Sequence, residues 1–345
     1  MITYALMSLI VIFLAFTLLF KAKLNTDASP DQFFDKTNSN AMRGFWCLIV
    51  ILVHVPATYQ NAIQDMLGSF AYIGVTFFFM TSAFGLKLGV SKDPDNIKKF
   101  WRKRLPKLLV PCLLVNIVGI VSALIRTGLF KWMTIITIDT WVLWLLVCYV
   151  IFWCVYRFVP VRGGYKDALI CILIIAFSCV MYVFNKFDTS SLGNWSSEVY
   201  GFIWGIVLSN LKDRLVGWVN KKWLTKVVVF CILAGVLGIL YLKFKPVVFF
   251  GDYILKIVLG LAIIVFMLVA NTRIEIGNRI SLFLGSISYE IYLLHHTVFA
   301  LVAFFAPEAI SGVFVVASII ITVILAIIVH KIGEPITKKL VATLC

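Results

Sequence analysis

Apolar runs of about 20 residues, the length that crosses a bilayer as a helix, alternate along this chain with short polar connections. The pattern predicts spans at 2–20, 44–61, 67–90, 108–125, 139–156, 167–185, 198–211, 224–242, 247–270, 281–305 and 310–330. The stretch from Gly128 to Asp139 is apolar enough to re-enter the membrane. There is no heptad pattern, low-complexity tract or convincing internal repeat. The expected fold is an all-α polytopic membrane protein of about eleven transmembrane helices. Met1 to Phe20 lacks a basic leading segment and a small-residue cleavage site, and Lys21 and Lys23 follow it, so it reads as a retained helix.

Basic residues orient the spans. With an outside amino terminus, the inside connections hold Lys21, Lys23, Lys36 and Arg43, the cluster from Lys92 to Lys107, then Arg157, Arg162 and Lys166. Further along they hold Lys212 to Lys226, Arg273, Arg279, Lys331, Lys338 and Lys339. Outside connections keep only Arg126, Lys131, Lys186, Lys243 and Lys245. This is the positive-inside distribution and puts the carboxyl terminus in the cytoplasm. It also accounts for the net charge of +15 without nucleic acid as a partner. A composition 62% hydrophobic and 14% charged, with mean hydropathy +1.01, excludes a soluble enzyme on an anchor. Cys47, Cys112, Cys148, Cys154, Cys171, Cys179 and Cys231 fall in apolar runs and Cys345 is terminal, without metal-ligand spacing, so they read as packing residues and no metal is expected.

Ionisable groups inside spans are costly and mark function by default. They are His54, Lys87, Asp252, Lys256, Glu290, His295 and His296. Asp252 and Lys256, spaced i,i+4, are expected to neutralise each other, and Lys87 to snorkel to the inner surface. In "MRGFWCLIVILVH", Arg43 and His54 are eleven residues apart, which returns them to one helix face about 16 Å apart. A cation at the inner mouth with a base mid-membrane suits an anionic substrate entering from inside. In "SYEIYLLHH", Ser288, Tyr292 and His295 share a face, with Tyr289 beside them. His54 and His295 are therefore expected in one cavity, open to the cytoplasm beside Arg43 and lined by Ser82 and Tyr292. In "FWRKRLPKLLVP", Arg102, Arg104 and Lys107 fix topology and also suit phosphates.

These motifs, in this order, resemble the integral-membrane acyltransferase-3 family, which O-acylates carbohydrates and other cell-surface molecules. The family's arginine, ten residues and histidine are similar to Arg43 through His54, with Gly44 kept. Its phenylalanine-rich stretch resembles "GVTFFFMTSAFG", Gly74 to Gly85, with Ser82 kept and Ala83 where glycine is usual. Its basic motif before a proline resembles Arg104, Lys107 and Pro111, and its late signature "GSISYEIYLLH", Gly285 to His295. The terminal acidic-proline pair is Glu334–Pro335, a structural element. The resemblance covers about residues 40 to 340, a ten-helix domain at 40–345, with 1–39 as an added helix and cytoplasmic linker. "TWVLWLLVCY", Thr140 to Tyr149, lacks an acid that many members carry there.

The resemblance implies a multi-pass acyltransferase in a cell membrane, most often the bacterial cytoplasmic membrane, with no tightly bound cofactor. Acyl-CoA, most often acetyl-CoA, would be the cytoplasmic donor, its phosphates meeting Arg43, Arg102, Arg104 and Lys107. His54, with Arg43 and His295, would carry the chemistry, as base or as acyl carrier. The acceptor would be a hydroxyl of a lipid-linked or surface glycan. No fused esterase-like domain is present, which leaves room for a separate extracytoplasmic partner. A transporter or flippase for a small anion or glycolipid is the competing reading, and a sensor without chemistry is a third.

Overall fold

A computed structural model describes residues 2–27, 33–161, 163–187 and 194–344. Met1, Arg162 and Cys345 lie outside the described residues. The helices are α1 (Ile2–Leu19), α2 (Lys36–Val53), α3 (Ala62–Gly68), α4 (Ala71–Lys92), α5 (Phe100–Thr127), α6 (Thr140–Phe158) and α7 (Gly163–Phe187). They continue as α8 (Tyr200–Asn220), α9 (Trp223–Phe244), α10 (Lys256–Asn271), α11 (Arg279–Ser286), α12 (Ser288–Phe305) and α13 (Ser311–Leu344). The only sheet among the described residues is a two-residue antiparallel ladder of β1 (Lys23–Leu24) with β2 (Ile274–Glu275).

The fold is all-α, as expected. Nine helical stretches among the described residues are long and apolar enough to cross a membrane, against eleven expected. The two others, predicted at 44–61 and 198–211, fall on α2 and α8. Polar residues lower their hydropathy, Lys36 to Arg43 in α2 and Asn210 to Arg214 in α8. Both are nonetheless central: α4 packs along α8 and α2, and α2 also packs on α11.

Local chemistry moves several boundaries. Helix α2 begins at Lys36 because the Asp35 side chain accepts the Asn38 amide at 2.7 Å and caps it. It ends at His54 because Pro56 disfavours helical backbone at Val55. His54 is thus the C-cap of α2 rather than a mid-span residue, about 27 Å from the helix start. The span expected at 281–305 breaks at Ile287, where Ser286 and Ser288 hydroxyls donate to the carbonyls of Phe283 and Gly285 at 2.7 and 2.9 Å. The basic stretch forms the first turns of α5, and Glu334 and Pro335 lie within α13, where Glu334 pairs with Lys338 at 2.8 Å. Between Gly128 and Asp139 a short 3-10 turn, Trp132–Ile136, packs on α5, held by Asn116 Nδ2 donating to the Ile135 and Thr137 carbonyls.

Two expected charge arrangements are not formed. Lys87 does not snorkel: it is buried, 2.7 Å from Asp167, with Tyr156 and Asn210 completing the cluster. Asp252 and Lys256 do not pair with each other. Phe250–Leu255 is wound as a π-helix, and the two side chains reach different neighbours. Asp252 meets Lys186 at 2.6 Å and Lys256 meets Glu198 at 2.7 Å. Among the described residues every cysteine is free.

Helix α2 meets α11 almost backbone to backbone. A Cβ on Gly44 would lie 2.5 Å from the Ser281 carbonyl oxygen, and one on Gly285 would lie 2.1 Å from the Asn40 carbonyl oxygen. Small residues permit such crossings in membranes, where packing rather than water drives association. Helix α1 docks on this unit through Asn278, whose Nδ2 donates to the carbonyls of Phe16, Thr17 and Phe20 at the end of α1. Gly285→Val is expected to push α2 and α11 apart and cost about 1–3 kcal/mol. The check is a lowered melting temperature in detergent, with Gly217→Val, where an added Cβ meets nothing within 4 Å, as the control.

Candidate active site

The end of α2 and the middle of α12 bring three imidazoles together. The His54 ring centroid is 4.9 Å from that of His295 and 4.6 Å from that of His296, and the two α12 rings are 4.2 Å apart. His295 is buried, His54 half-buried and His296 exposed. His295 Nδ1 lies within hydrogen-bond distance of the Tyr292 carbonyl oxygen. A carbonyl only accepts, so Nδ1 carries the proton and Nε2 the lone pair. That Nε2 is buried and has no protein partner. One potential metal-binding group of His, Cys, Asp or Glu occurs among the described residues, and it is this trio, with donor atoms within 4.8 Å of one another. The sequence reading assigned no metal and did not assemble this donor set, because His54 comes from a different helix. The Asp139 side chain, which caps α6 by accepting the Trp141 amide at 2.9 Å, acts electrostatically on His296.

On the Arg43 side of the histidines lies a cavity of about 200 Å³, whose lining includes Arg43, Ser82, Arg104, Ser288, Tyr289 and Tyr292. Trp141 also lines it and stands 5.0 Å from the Tyr292 ring, which in turn is 5.7 Å from His295. Four predicted lining residues and two of the predicted cations therefore meet in one place. The guanidinium of Arg43 sits 6.0 Å from the Phe78 ring, and its Nε is buried without a protein partner. The basic cluster is split. On α5, Arg104 faces this cavity, whereas Arg102 is exposed and reaches the Leu344 carbonyl at 3.5 Å, and Lys107 is exposed and outside the lining.

His54 itself lines a second, larger cavity of about 600 Å³ with Tyr72, Trp195, Glu198, Tyr241 and Lys256. The expected single cavity is thus two: His54 lines this one, whereas none of the three histidines lines the other, which has Tyr292 and Trp141 on the Arg43 side. Among the described residues, Arg43, Trp141, His295 and Tyr72 are all buried polar side chains with an atom lacking a protein partner. They are four of the eight such atoms among the described residues, and at the cavities a ligand group would satisfy them.

Residues 36–331 match the family model described as an acyltransferase domain. The chain belongs to the acyltransferase-3 family. Among the curated proteins and the solved structures nothing matches significantly. The match starts at the first residue of α2 and takes in every residue around the three imidazoles. As an acyltransferase-3 protein the chain is a membrane acyltransferase, and its apolar helices fit a multi-pass membrane protein.

Cavity-lining residues of this acyltransferase missed from sequence include Tyr72, Trp141, Trp195, Glu198 and Tyr241. Tyr72 sits in a phenylalanine-rich run that reads as core. Trp195 and Glu198 sit in "NWSSE", at the edge of a predicted span, where an acid beside an aromatic was the available signal. Glu290, singled out as a costly buried acid, accepts from His330 Nδ1 at 2.8 Å and ties α12 to α13 instead of facing the cavities. His330→Ala is expected to strand the Glu290 carboxylate. The expected cost is about 2–3 kcal/mol, less than for a fully buried pair because the imidazole is part-exposed. Thermal unfolding in detergent checks this, and adding Glu290→Gln is expected to recover part of the loss.

Proposed function

We propose that this acyltransferase moves an acyl group, acetyl by preference, from cytoplasmic acyl-CoA to a hydroxyl of an extracytoplasmic or lipid-linked glycan, with His54 at the point of transfer. The observation that carries the reading is a pair of cavities, one lined by Arg43 and Arg104 and the other by His54, with an orphan polar atom in each. The Arg43 cavity faces the end that the charge bias assigns to the cytoplasm, and the His54 cavity opens toward connections assigned to the outside. At about 200 Å³ the inner cavity is below the roughly 300–1,000 Å³ of a whole ligand site. It suits the pantetheine arm, with phosphates held at its mouth by Arg43 and Arg104 and the thioester advanced past Tyr292 toward the histidines.

In the direct form of the reaction, His54 takes the proton of the acceptor hydroxyl as its oxygen attacks the thioester carbonyl carbon. The oxygen–acyl bond forms, the carbon–sulfur bond breaks, and the sulfur leaves with a proton as the CoA thiol. His295 is positioned beside His54 to share that proton through its bare Nε2. In the covalent form His54 first takes the acyl group and then passes it on. A cell membrane, bacterial and cytoplasmic, is the setting that fits acyl-CoA on one face and a glycan on the other, and a separate extracytoplasmic protein could carry the glycan. A transporter has less support, since carrying a solute needs no cluster of imidazoles.

His54→Ala is expected to lower acyl transfer by about 10²–10⁴-fold with unchanged melting temperature. Transfer of labelled acetyl from acetyl-CoA to membrane glycan reads this out, and near-normal turnover would remove His54 from the chemistry. Arg104→Ala is expected to weaken acyl-CoA binding about tenfold or more. Arg102→Ala and Lys107→Ala should change it little. Wild-type affinity should fall with salt. Isothermal titration with acetyl-CoA separates the three.

A further inference from the structure

We propose that the cavity of about 600 Å³ on the far side of His54 is the acceptor site, and that it takes an uncharged sugar ring whose face lies on Trp195 and Tyr241. This rests on the acyl-transfer reading given above. Its size is that of a small-molecule site. Its lining combines the two features a pyranose needs, an aromatic surface for its apolar C–H face and polar groups for its hydroxyl rim.

The aromatic part comes from Tyr72, Trp195 and Tyr241. Tyr72 and Tyr241 have ring centroids 5.4 Å apart, and Trp195 is fixed from outside by its indole N–H, 3.5 Å from Thr140 Oγ1. The polar part is the floor. Glu198 is buried, held by Lys256 Nζ at 2.7 Å and by the Ser197 hydroxyl, which donates to its other oxygen at 2.8 Å. Lys256 also stands 4.8 Å over the Tyr72 ring. Carboxylate and ammonium keep spare acceptor and donor sites after these bonds. The Tyr72 hydroxyl, in a residue only 8% exposed, has no protein partner at all. A buried hydroxyl facing a polar cavity without a partner is satisfied when a ligand hydroxyl meets it.

Charge argues for an uncharged ring. The lining holds the carboxylates of Asp65, Glu198 and Asp252 against the ammonium groups of Lys245 and Lys256. Lys256 is paired with Glu198 and Asp252 with Lys186, which leaves Lys245, bonded to the neutral Ser69 hydroxyl at 3.1 Å, as the cation that offsets Asp65. A uronic acid would bring a fourth carboxylate to a lining with no excess of positive charge to meet it. A ring seated on this floor presents a hydroxyl to His54, which lines the same cavity.

The test uses native membranes from cells producing the full chain, labelled acetyl-CoA and the endogenous glycan. Trp195→Ala and Glu198→Gln should lower label incorporation at least tenfold, and Tyr72→Phe about threefold. All three should bind acetyl-CoA within twofold of wild type and melt normally in detergent. Octyl N-acetylglucosaminide, an uncharged probe, should inhibit incorporation at lower concentration than octyl glucuronide. Unchanged incorporation in all three variants, a parallel loss of donor affinity, or stronger inhibition by the glucuronide would overturn the assignment. Failure of the acyl-transfer reading itself looks different: wild type and His54→Ala would then incorporate label equally or not at all.

Discussion

The contact between α2 and α11, with no side chain at Gly44 or Gly285, is what the rest of the arrangement depends on. It brings the two helices within van der Waals reach of each other's backbone. Arg43 precedes one glycine and the serine break at 286–288 follows the other, so one crossing fixes both the guanidinium and the start of α12. From there α12 rises beside α2, and their histidines converge at its far end. The family's "RG" and the leading glycine of its late signature thereby have a mechanical reason for being glycine.

Arg43 at that crossing has a buried Nε without a protein partner, whereas other charges in the bundle meet in pairs. Lys87 with Asp167, Lys256 with Glu198 and Asp252 with Lys186 each join different helices or the connections that lead into them. Buried pairs of this kind contribute little net stability, because desolvation offsets the attraction. Their effect is to fix which helix lies beside which. The pairs with Glu198 and Lys186 also shape the wall of the larger cavity, so structural electrostatics and ligand-facing electrostatics share atoms there.

Much of this was legible in the sequence, because a bilayer imposes one period and one length on every span. The all-α class, the pairing of Arg43 with the Ser82 and Ser288–Tyr292 stretches, and the family resemblance all followed from local pattern. What escaped was tertiary. Asp252 and Lys256 look like partners on an ideal helix and are separated by a π-helical turn. His54 looks mid-span because the polar first two turns of α2 hide where the helix begins. Arg102, Arg104 and Lys107 look like one cluster, but helical rotation turns Arg102 away from Arg104, and of the three only Arg104 lines the cavity. Glu198 and Trp195 precede their helix, so no periodicity marks them.

The side chain of Asn278 holds the end of α1 from 258 residues downstream. Its partner carbonyls are made 258 to 262 residues before the amide that satisfies them. At about 5–20 residues per second, α1 waits roughly 13–50 s for its anchor. His54 waits almost as long for His295. Assembly of this protein is therefore late and concerted: the first helix and the reactive centre both close on the final helices, and a nascent chain stalled before α11 has neither.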